Sequence, residues 1–194
     1  MTTLTIKTAR AADADAVIAV VTLAFSADPA ARWTWSAPQQ YLSHFRRLVQ
    51  AVGGNALTHE SAFYVDGYVG AALWLPPEVH PDADALSALL QRTVPEPMHQ
   101  DVLAVFDQMG RSHPPEPHGY LPLIGVDPLH QGKGVGAALM HHALLRCDRD
   151  HTPAYLESTN PKNIPLYERH GFVVLGTVQV GASPPIFPMV RPPR

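Results

Sequence analysis

The sequence contains little cysteine. Its one thiol, Cys147, has no second cysteine to pair with, so an internal disulfide is excluded. Zinc sites built on several cysteines are excluded for the same reason. A single cysteine is typical of proteins kept in a reducing compartment. The chain also opens without the basic segment and apolar stretch of a secretory signal. We therefore expect a cytoplasmic protein that binds no metal.

Charge is also scarce, and no long hydrophobic run occurs. Charged residues make up only 16% of the chain and the formal net charge is −3. Disordered and coiled-coil proteins carry more charge, and nucleic-acid-binding proteins normally have a basic surplus. The most apolar run, residues 17–25, is about half of the roughly 20 residues that cross a bilayer. The sequence therefore predicts neither a nucleic-acid partner nor a membrane span.

What the sequence does contain is hydrophobic residues, 46% of 194, enough for the core of a single domain spanning residues 1–194. Hydrophobic periodicity predicts strands at 4–7, 56–65 and 68–75, and helices at 13–27 and 38–52. Asp28-Pro29 is expected to end the first helix, and the link 30–37 carries two tryptophans. Asp66-Gly67 predicts a two-residue hairpin turn.

Prolines cluster between residues 76 and 117. Two short helices are expected there, near 84–91 and 98–109, separated by Pro95 and Pro97. The segment contains too many apolar residues to stay solvated. We therefore predict a helical insertion that covers one edge of the domain as a lid.

The last third of the sequence has the clearest pattern. It predicts strands at 120–126, 154–158, 172–180 and 186–190, helices at 136–149 and 164–170, and a glycine-rich turn at 131–136. Strands that alternate with helices indicate an α/β or α+β sheet containing a crossover unit.

The glycine-rich turn is the strongest candidate for a binding site. A helix N-terminus presents unpaired N–H groups and a positive dipole end, and glycines let the backbone approach an anion. The spacing excludes a P-loop, which needs four residues between its first glycine and the Gly-Lys pair. A dinucleotide fingerprint fits Gly132, Gly134 and Ala137 only loosely, because 127–131 separate the strand from the first glycine. A tight turn without a ligand is the remaining alternative.

Two motifs together resemble the GNAT superfamily of N-acetyltransferases. Gln131-x-x-Gly134-x-Gly136 fits its Q/R-x-x-G-x-G/A signature. Residues 163–172, Asn-Ile-Pro-Leu-Tyr-Glu-Arg-His-Gly-Phe, resemble its second marker. Within the superfamily, segments 130–134, 153–157 and 165–169 look like those of puromycin N-acetyltransferases. The resemblance is dense from about 120 to 172 and weaker, but collinear, in the N-terminal half.

The resemblance implies a GNAT fold: a mixed, mostly antiparallel sheet with helices on both faces. In that fold two parallel strands, here 120–126 and 154–158, splay apart, and acetyl-CoA inserts between them. The residues that it implies for cofactor binding are Ile124, Val126, Gln131, Gly132, Lys133, Gly134, Val135, Gly136, Ala137 and Asn163. For Asn163, a role as helix N-cap is an alternative.

The resemblance also implies catalytic roles. Tyr167 takes the place of the general acid that protonates the CoA sulfur, with a packed aromatic as the alternative. The backbone N–H of Val126 takes the place of the oxyanion donor. The base remains open between Glu157, at the end of the second splayed strand, and His118, whose type of side chain titrates near neutral pH.

Substrate identity is the least determined property. Trp33, Trp35 and Phe187 are candidates for an aromatic acceptor wall, although both tryptophans could equally be core residues. We expect an acetyl-CoA-dependent transfer to a primary amine of a small molecule, by a monomer or homodimer. A protein or peptide N-acetyltransferase and a non-catalytic acyl-CoA-binding module are the alternatives.

Overall fold

Residues 4–194 are described by a computed structural model, and they form strands and helices in alternation. The strands there are β1 (Ile6–Thr8), β2 (Ala62–Val65), β3 (Gly70–Leu75), β4 (Gly119–Val126), β5 (Ala154–Ser158), β6 (Val173–Val174) and β7 (Phe187–Arg191). The α-helices are α1 (Ala14–Ala24), α2 (Pro29–Thr34), α3 (Pro38–Gly53), α4 (Asn55–Thr58), α5 (Ala83–Thr93), α6 (His99–Arg111), α7 (Val135–Arg149) and α8 (Ile164–Arg169).

The strands form one sheet in the order β1-β2-β3-β4-β5-β7-β6. Neighbouring strands are antiparallel except β4 and β5, which are parallel. Parallel neighbours need a crossover connection, and α7 provides it. The prediction of a mixed, mostly antiparallel sheet with one parallel pair is confirmed.

Helices cover both faces of this sheet, and β3 shows how. Successive side chains of a strand point to opposite faces. Ala71, Leu73 and Leu75 pack in the core that contains α1 and α3. Ala72 and Trp74 pack in the second core, beneath α7. Because both of its faces are buried, β3 is an uninterrupted apolar run instead of an alternating one.

The segment after Asp28 forms a helix, so the predicted irregular link at 30–37 is wrong. Asp28 accepts hydrogen bonds at Oδ1 from the backbone N–H groups of Ala30 and Ala31, both at 3.0 Å. Pro29 occupies the first helical position, where its missing N–H costs nothing. The same dipeptide that follows α1 therefore starts α2.

The predicted strand at 56–65 is wrong in its first half. Residues 55–58 form α4, and only the last four residues pair as β2. The hairpin between β2 and β3 exists, but its turn is longer than two residues. Gly67 and Tyr68 both have positive φ, 82° and 55°, and the next strand begins at Gly70.

The segment 76–117 contains α5 and α6, close to the expected helices. Asp82 caps α5 by accepting a hydrogen bond from the Ala85 N–H at 2.9 Å. Its own N–H donates to the Ala51 carbonyl at 2.8 Å, which anchors the segment to α3. Leu89 and Leu90 are buried in the core on that side.

Of the two predicted C-terminal strands, the first is much shorter than expected, whereas the second, β7, has the predicted length and begins one residue later. Only Val173–Val174 of the expected strand at 172–180 pairs as β6, and Val178 forms an isolated bridge with Ile186. β7 is held to α7 by Arg191, which is buried and makes two hydrogen bonds to Asp148, at 2.7 and 2.8 Å. These bonds lower the pKa of the Asp148 carboxyl.

Candidate active site

A cleft opens where the parallel pairing of β4 and β5 ends. The two strands pair only along Gly119–Leu121 of β4. Beyond that stretch, β4 continues to Val126 and β5 to Ser158 without pairing with each other. The sheet is therefore interrupted between two of its central strands.

A bulge in β4 lies at the start of this cleft. Leu73 of β3 pairs with Leu123 of β4. Two residues further along β3, Leu75 pairs with Tyr120, three residues earlier in β4. The extra residue falls beside Pro122, which has no N–H to offer a neighbouring strand. A bulge bends and twists its strand, so it separates β4 from β5.

The backbone of β4 points donors into the cleft. The N–H of Asp127 donates to the Val69 carbonyl at 3.0 Å, on the β3 side. Because N–H groups alternate between the two sides of a strand, those of Ile124 and Val126 point the other way. Within residues 4–194, no strand pairs with β4 on that side beyond Leu121. An extended ligand could pair there as an added strand does.

The glycine-rich turn follows β4 and leads into α7. Gly132 and Gly134 have φ values of 73° and 81°, which glycine adopts without strain. A Cβ on either would meet no atom within 4 Å, so these glycines are required by backbone conformation and not by lack of space. The first turn of α7 contains Val135, Gly136 and Ala137, whose N–H groups have no intrahelical partner.

Two side chains hold the turn in this shape. Gln131 donates from Nε2 to the Val126 carbonyl at 3.2 Å, and Lys133 donates from Nζ to the Leu129 carbonyl at 2.8 Å. Lys133 is exposed, and its ammonium is held within the turn that leads into α7. An anion at this position would meet the helix N-terminus together with a lysine.

The two sequence motifs meet at Gly136. A Cβ there would lie 3.5 Å from Leu166 Cδ2 and 3.6 Å from Val126 Cγ2, so α7, α8 and β4 converge. Asn163 stands at the N-cap position of α8, but its side chain makes no capping hydrogen bond. The amide of Asn163 is exposed at this junction.

Tyr167 lies on α8 and is buried, with its ring edge-on to Phe172 at 6.3 Å. Burial raises the pKa of its phenol, and the negative charge of Asp28 raises it further. The hydroxyl therefore stays protonated at neutral pH. A buried phenol in this state can donate a proton to a developing anion.

An apolar cavity lies on the face of the sheet opposite α7. It measures about 770 Å³ counted to its open mouth, and α1, α2, α3, α6 and the chain before β7 contribute to its walls. Residues of its lining include Phe25, Trp33, Phe45, Phe106, Met109 and Ile186. Its one carboxylate, Asp28, accepts a hydrogen bond from Thr159 at 2.6 Å, and burial raises the pKa of that carboxyl.

The three predicted acceptor residues are placed differently. Trp33 lines the apolar cavity and is partly buried. Trp35 also borders it but is 1% exposed, and its Nε1 donates to Thr93 Oγ1 at 3.2 Å, so it is a core residue as well. Phe187 is not among the residues described as lining this cavity. Ile186 lines it instead, because successive residues of an extended chain face opposite sides.

A second cavity, the histidine cavity, adjoins the first. It measures about 1350 Å³ including solvent at its mouth, and Phe106, Met109 and Tyr120 border both cavities. Its lining contains Glu157 and the two histidines of the loop before β4, His113 and His118.

Glu157 and His118, the two alternative bases, both lie at this cavity and are joined by His113. His113 Nε2 is 3.2 Å from Glu157 Oε1, and His113 Nδ1 is 3.0 Å from His118 Nε2. The Glu157 side chain is only 2% exposed. Its Oε1 is buried and receives no hydrogen bond of good geometry from residues 4–194, so His113 Nε2 is a close neighbour of this oxygen without being a well-aligned donor.

Tyrosines surround this carboxylate. The rings of Tyr120 and Tyr155 lie 4.6 and 4.3 Å from that of His113. Burial, followed by the negative charge of Glu157, raises the pKa of both phenols. They therefore remain neutral beside the carboxylate.

Two site residues were not predicted from the sequence. His113 lies between helix α6 and a proline cluster, and nothing nearby in the sequence marks it. Asp28 was interpreted only as a helix stop, although an Asp before a proline is also a helix N-cap pattern. That pattern could have located Asp28, whereas His113 depends on how the insertion folds back over the sheet.

Membrane-spanning helices and metal-ligand clusters are both absent from the described part of the chain. Between residues 4 and 194, no helix is both long and apolar enough to cross a membrane. In the same range, no three His, Cys, Asp or Glu side chains converge as metal ligands would. Glu157, His113 and His118 follow one another in a row instead of surrounding a point.

Comparisons with known proteins agree with this geometry. A family model described as an acetyltransferase (GNAT) domain matches residues 102–174. The mycothiol acetyltransferase of Propionibacterium freudenreichii subsp. shermanii is 39% identical over 83 residues, which cover 41% of this chain and 25% of that protein. The matches span between 21% and 32% of the length of the curated relatives.

Solved structures extend the likeness to nearly the whole chain. One from Corynebacterium glutamicum, described as histone acetyltransferase HPA2 and related acetyltransferase, has a TM-score of 0.71 at 26% identity and covers 98% of this chain and 97% of that one. A mosquito arylalkylamine N-acetyltransferase-like protein, 5b, has a TM-score of 0.64 at 12% identity, covering 98% and 100%, and shows the fold alone. The chain therefore has the GNAT fold, and its residues 102–174 match the acetyltransferase domain of that superfamily.

Proposed function

We propose that this protein transfers the acetyl group of acetyl-CoA to a primary amine of a small molecule. The observation that carries the proposal is the convergence at Gly136. There the donors of β4, the first turn of α7 and the helix that carries Tyr167 adjoin. A module that only bound acyl-CoA would need the cleft and the turn, but not a buried phenol beside them.

Several residues of the site have the chemistry that acetyl-CoA binding requires. The pantetheine arm would pair with the N–H groups of Ile124 and Val126, and the pyrophosphate would lie on the first turn of α7 near Lys133. Asn163 would orient the arm. Acetyl-CoA supplies an activated thioester, so no metal is required to make the acetyl carbon electrophilic.

The chain then has three tasks in the reaction. The amine nitrogen bonds to the acetyl carbon and the carbon–sulfur bond breaks. The N–H of Val126 stabilises negative charge on the acetyl oxygen. Tyr167 donates its proton to the departing sulfur. The proton of the ammonium goes to the carboxylate of Glu157, which faces the acceptor side of the sheet together with Tyr155.

The acceptor proposed here is an amine with an apolar or aromatic body. The apolar cavity and the histidine cavity adjoin each other on the face of the sheet opposite α7. Helix α6, which belongs to the 76–117 segment, lines both cavities with Phe106 and Met109. We propose that this segment acts as a lid. A roofed cavity suits a small molecule better than a protein segment, which needs an open groove. The resemblance to puromycin N-acetyltransferases is weakest at the acceptor site, so puromycin acetylation does not follow from it.

Release of CoA thiol across a panel of amines tests the function. The panel contains aryl-alkyl amines, polyamines, an aminonucleoside and a basic peptide. We expect the aryl-alkyl amines or the aminonucleoside to give the highest kcat/KM. A preference for the peptide would favour a protein acetyltransferase. Acetyl-CoA binding without turnover of any amine would favour the binding module. Cytoplasmic location and a monomeric or homodimeric state remain predictions.

A further inference from the structure

Glu157, His113 and His118 form a continuous row that ends on a backbone carbonyl. Glu157 Oε1 is 3.2 Å from His113 Nε2, and His113 Nδ1 is 3.0 Å from His118 Nε2. His118 Nδ1 is 2.8 Å from the carbonyl oxygen of Glu116. The row therefore contains three polar contacts, with an acceptor at each end.

The number of protons in this row is limited. Each of the three contacts needs one proton to be a hydrogen bond, because a carboxylate and a carbonyl can only accept. Two neutral imidazoles carry two ring protons between them. One contact must therefore set two lone pairs against each other when both rings are neutral and Glu157 is ionised.

Reversing the tautomers does not remove this conflict. If His118 Nδ1 donates to the Glu116 carbonyl, the lone pair of His113 Nε2 faces Glu157. If His113 Nε2 donates to Glu157 instead, the lone pair of His118 Nδ1 faces the Glu116 carbonyl. Only a third proton would place a donor at all three contacts, so the row has room for one proton more than its two neutral rings carry.

The surroundings do not supply that proton from another group. Tyr120 of β4 and Tyr155 of β5 flank the row and stay neutral. The lining of the histidine cavity also includes Glu78, His80 and the side chain of Glu116. No lysine or arginine is among the described residues that line it. A cation bound there must come from the substrate or from solvent.

We infer that Glu157, His113 and His118 act as one proton-accepting unit that removes the proton of the acceptor amine. This inference rests on the proposed function. Glu157 is the catalytic residue, because its carboxylate belongs to the lining of the histidine cavity and its buried Oε1 has no well-aligned donor. His113 and His118 are positioning residues that act through it. The two alternative bases are thus the two ends of a single unit.

One proton enters the unit from the ammonium, and one proton leaves it to water. The ammonium N–H proton passes to Glu157 Oε1 and is shared with His113 Nε2. His113 Nδ1 then passes its own proton to His118 Nε2, which moves the positive charge one ring toward the mouth of the cavity. Water at the mouth replaces the Glu116 carbonyl as the partner of His118 Nδ1 and takes the proton of that nitrogen. The row then holds two ring protons, on His113 Nε2 and His118 Nε2, and exchange with water restores the starting tautomers.

NMR of the ligand-free protein with 15N-labelled histidine tests the unit without any substrate. Between pH 5 and 9, we expect the first protonation step to change the 15N signals of both rings, because a step of coupled sites belongs to the set and not to one ring. In Glu157→Gln the step should move to lower pH, because the amide cannot hold the shared proton. Rings that titrate independently, with no response to Glu157→Gln, would overturn the inference.

Kinetics provide the second readout. The amide in His113→Gln can still donate a hydrogen bond to Glu157 but cannot pass a proton on to His118. This variant should therefore lower kcat about tenfold with little change in KM. The acidic limb of its kcat/KM profile should move to lower pH by about one unit. His142→Gln, a half-buried histidine on α7 beside Phe63, is the matched control and should leave the profile unchanged.

The two experiments separate the possible failures. If no amine is acetylated, the proposed function fails, and the NMR titration still decides whether the three groups titrate as a unit. If amines are acetylated but His113→Gln keeps the wild-type pH profile, the unit is refuted while the function stands. His113→Asn, which retains only the bond to His118, should behave like His113→Gln or worse.

Discussion

Thr159 Oγ1 lies 2.6 Å from Asp28 Oδ2, and this hydrogen bond joins the end of β5 to the first turn of α2. The other oxygen of Asp28 already accepts from two backbone N–H groups. The carboxylate therefore fixes the wall of the apolar cavity instead of presenting a lone pair to it. Its position between two walls makes Asp28 a structural residue of the acceptor site.

Substitutions of Asp28 should separate capping from charge. Asp28→Ala removes the N-cap and should lower the free energy of unfolding by about 1–2 kcal/mol. Asp28→Asn keeps an acceptor for the cap, so its loss should be smaller. Urea unfolding of both variants measures this difference. An Asn variant that is less stable than the Ala variant would contradict the capping role.

The wild type and the Asp28→Asn variant should also differ in how their stability depends on pH. Burial raises the pKa of Asp28 above its unfolded value of about 3.9, so the stability that it contributes is fully present below that value and is lost as pH rises through the folded pKa. Asp28→Asn has no such loss. Relative to wild type, the Asn variant should therefore gain stability as the pH rises from about 4 through the folded pKa of Asp28. A relative loss over this window would contradict the shift.

Tyr167→Phe should reduce kcat at least a hundredfold, because the acid that protonates the leaving sulfur is lost. The KM for acetyl-CoA should change little, since the ring remains. Steady-state kinetics with the best amine of the panel measure both. Tyr41→Phe removes another buried hydroxyl, which bonds the Thr22 carbonyl, and serves as the control. Only a severalfold loss of kcat in Tyr167→Phe would refute the acid role.

Gly134→Ala should weaken acetyl-CoA binding about tenfold or more, as measured by calorimetry. Its φ of 81° strains any residue with a Cβ by about 1–2 kcal/mol, and relief of that strain would reshape the turn. Gly67→Ala is a matched control, because Gly67 has a φ of 82° and equally open surroundings in a distant hairpin. It should lose similar stability and keep the wild-type affinity.

The two tryptophans should respond differently to truncation. Trp35→Ala empties a fully buried site and should cost about 3–5 kcal/mol of stability. Trp33→Ala removes a partly buried side chain from the lining of the apolar cavity and should mainly raise the KM for the amine. Thermal unfolding and amine kinetics distinguish the two. Equal effects of both variants on KM would place Trp35 in the acceptor site as well.

Local signals in the sequence were sufficient where structure depends on neighbouring residues. The turn at 131–136, helix α7 and strand β5 were predicted within a residue or two, because glycines and hydrophobic periodicity determine them locally. Helix α2 was missed because Asp28-Pro29 both follows one helix and begins the next. The predicted strand at 56–65 is wrong in its first half, because residues 55–58 form the short helix α4.

The candidate site was predictable only in its cofactor half. Motif spacing identified Gly134, Asn163 and Tyr167, which lie within about thirty residues of one another in the sequence. The acceptor half depends on contacts between distant segments. His113 reaches Glu157 because the insertion folds back across the sheet, and Asp28 meets Thr159 from the other end of the chain. No local pattern encodes such pairings.

The bulge beside Pro122 has one more consequence. Exposed strand edges invite association with other chains, and proteins usually shield them at the outside of a sheet. Here the two unpaired edges face each other in the middle of the sheet. A slender, flexible molecule can enter between them, whereas a second polypeptide with side chains on both faces would not fit. The fold thus keeps unpaired backbone N–H and C=O groups available to a ligand in the cleft. They do not lie at the outer edge of the sheet, where they could promote aggregation.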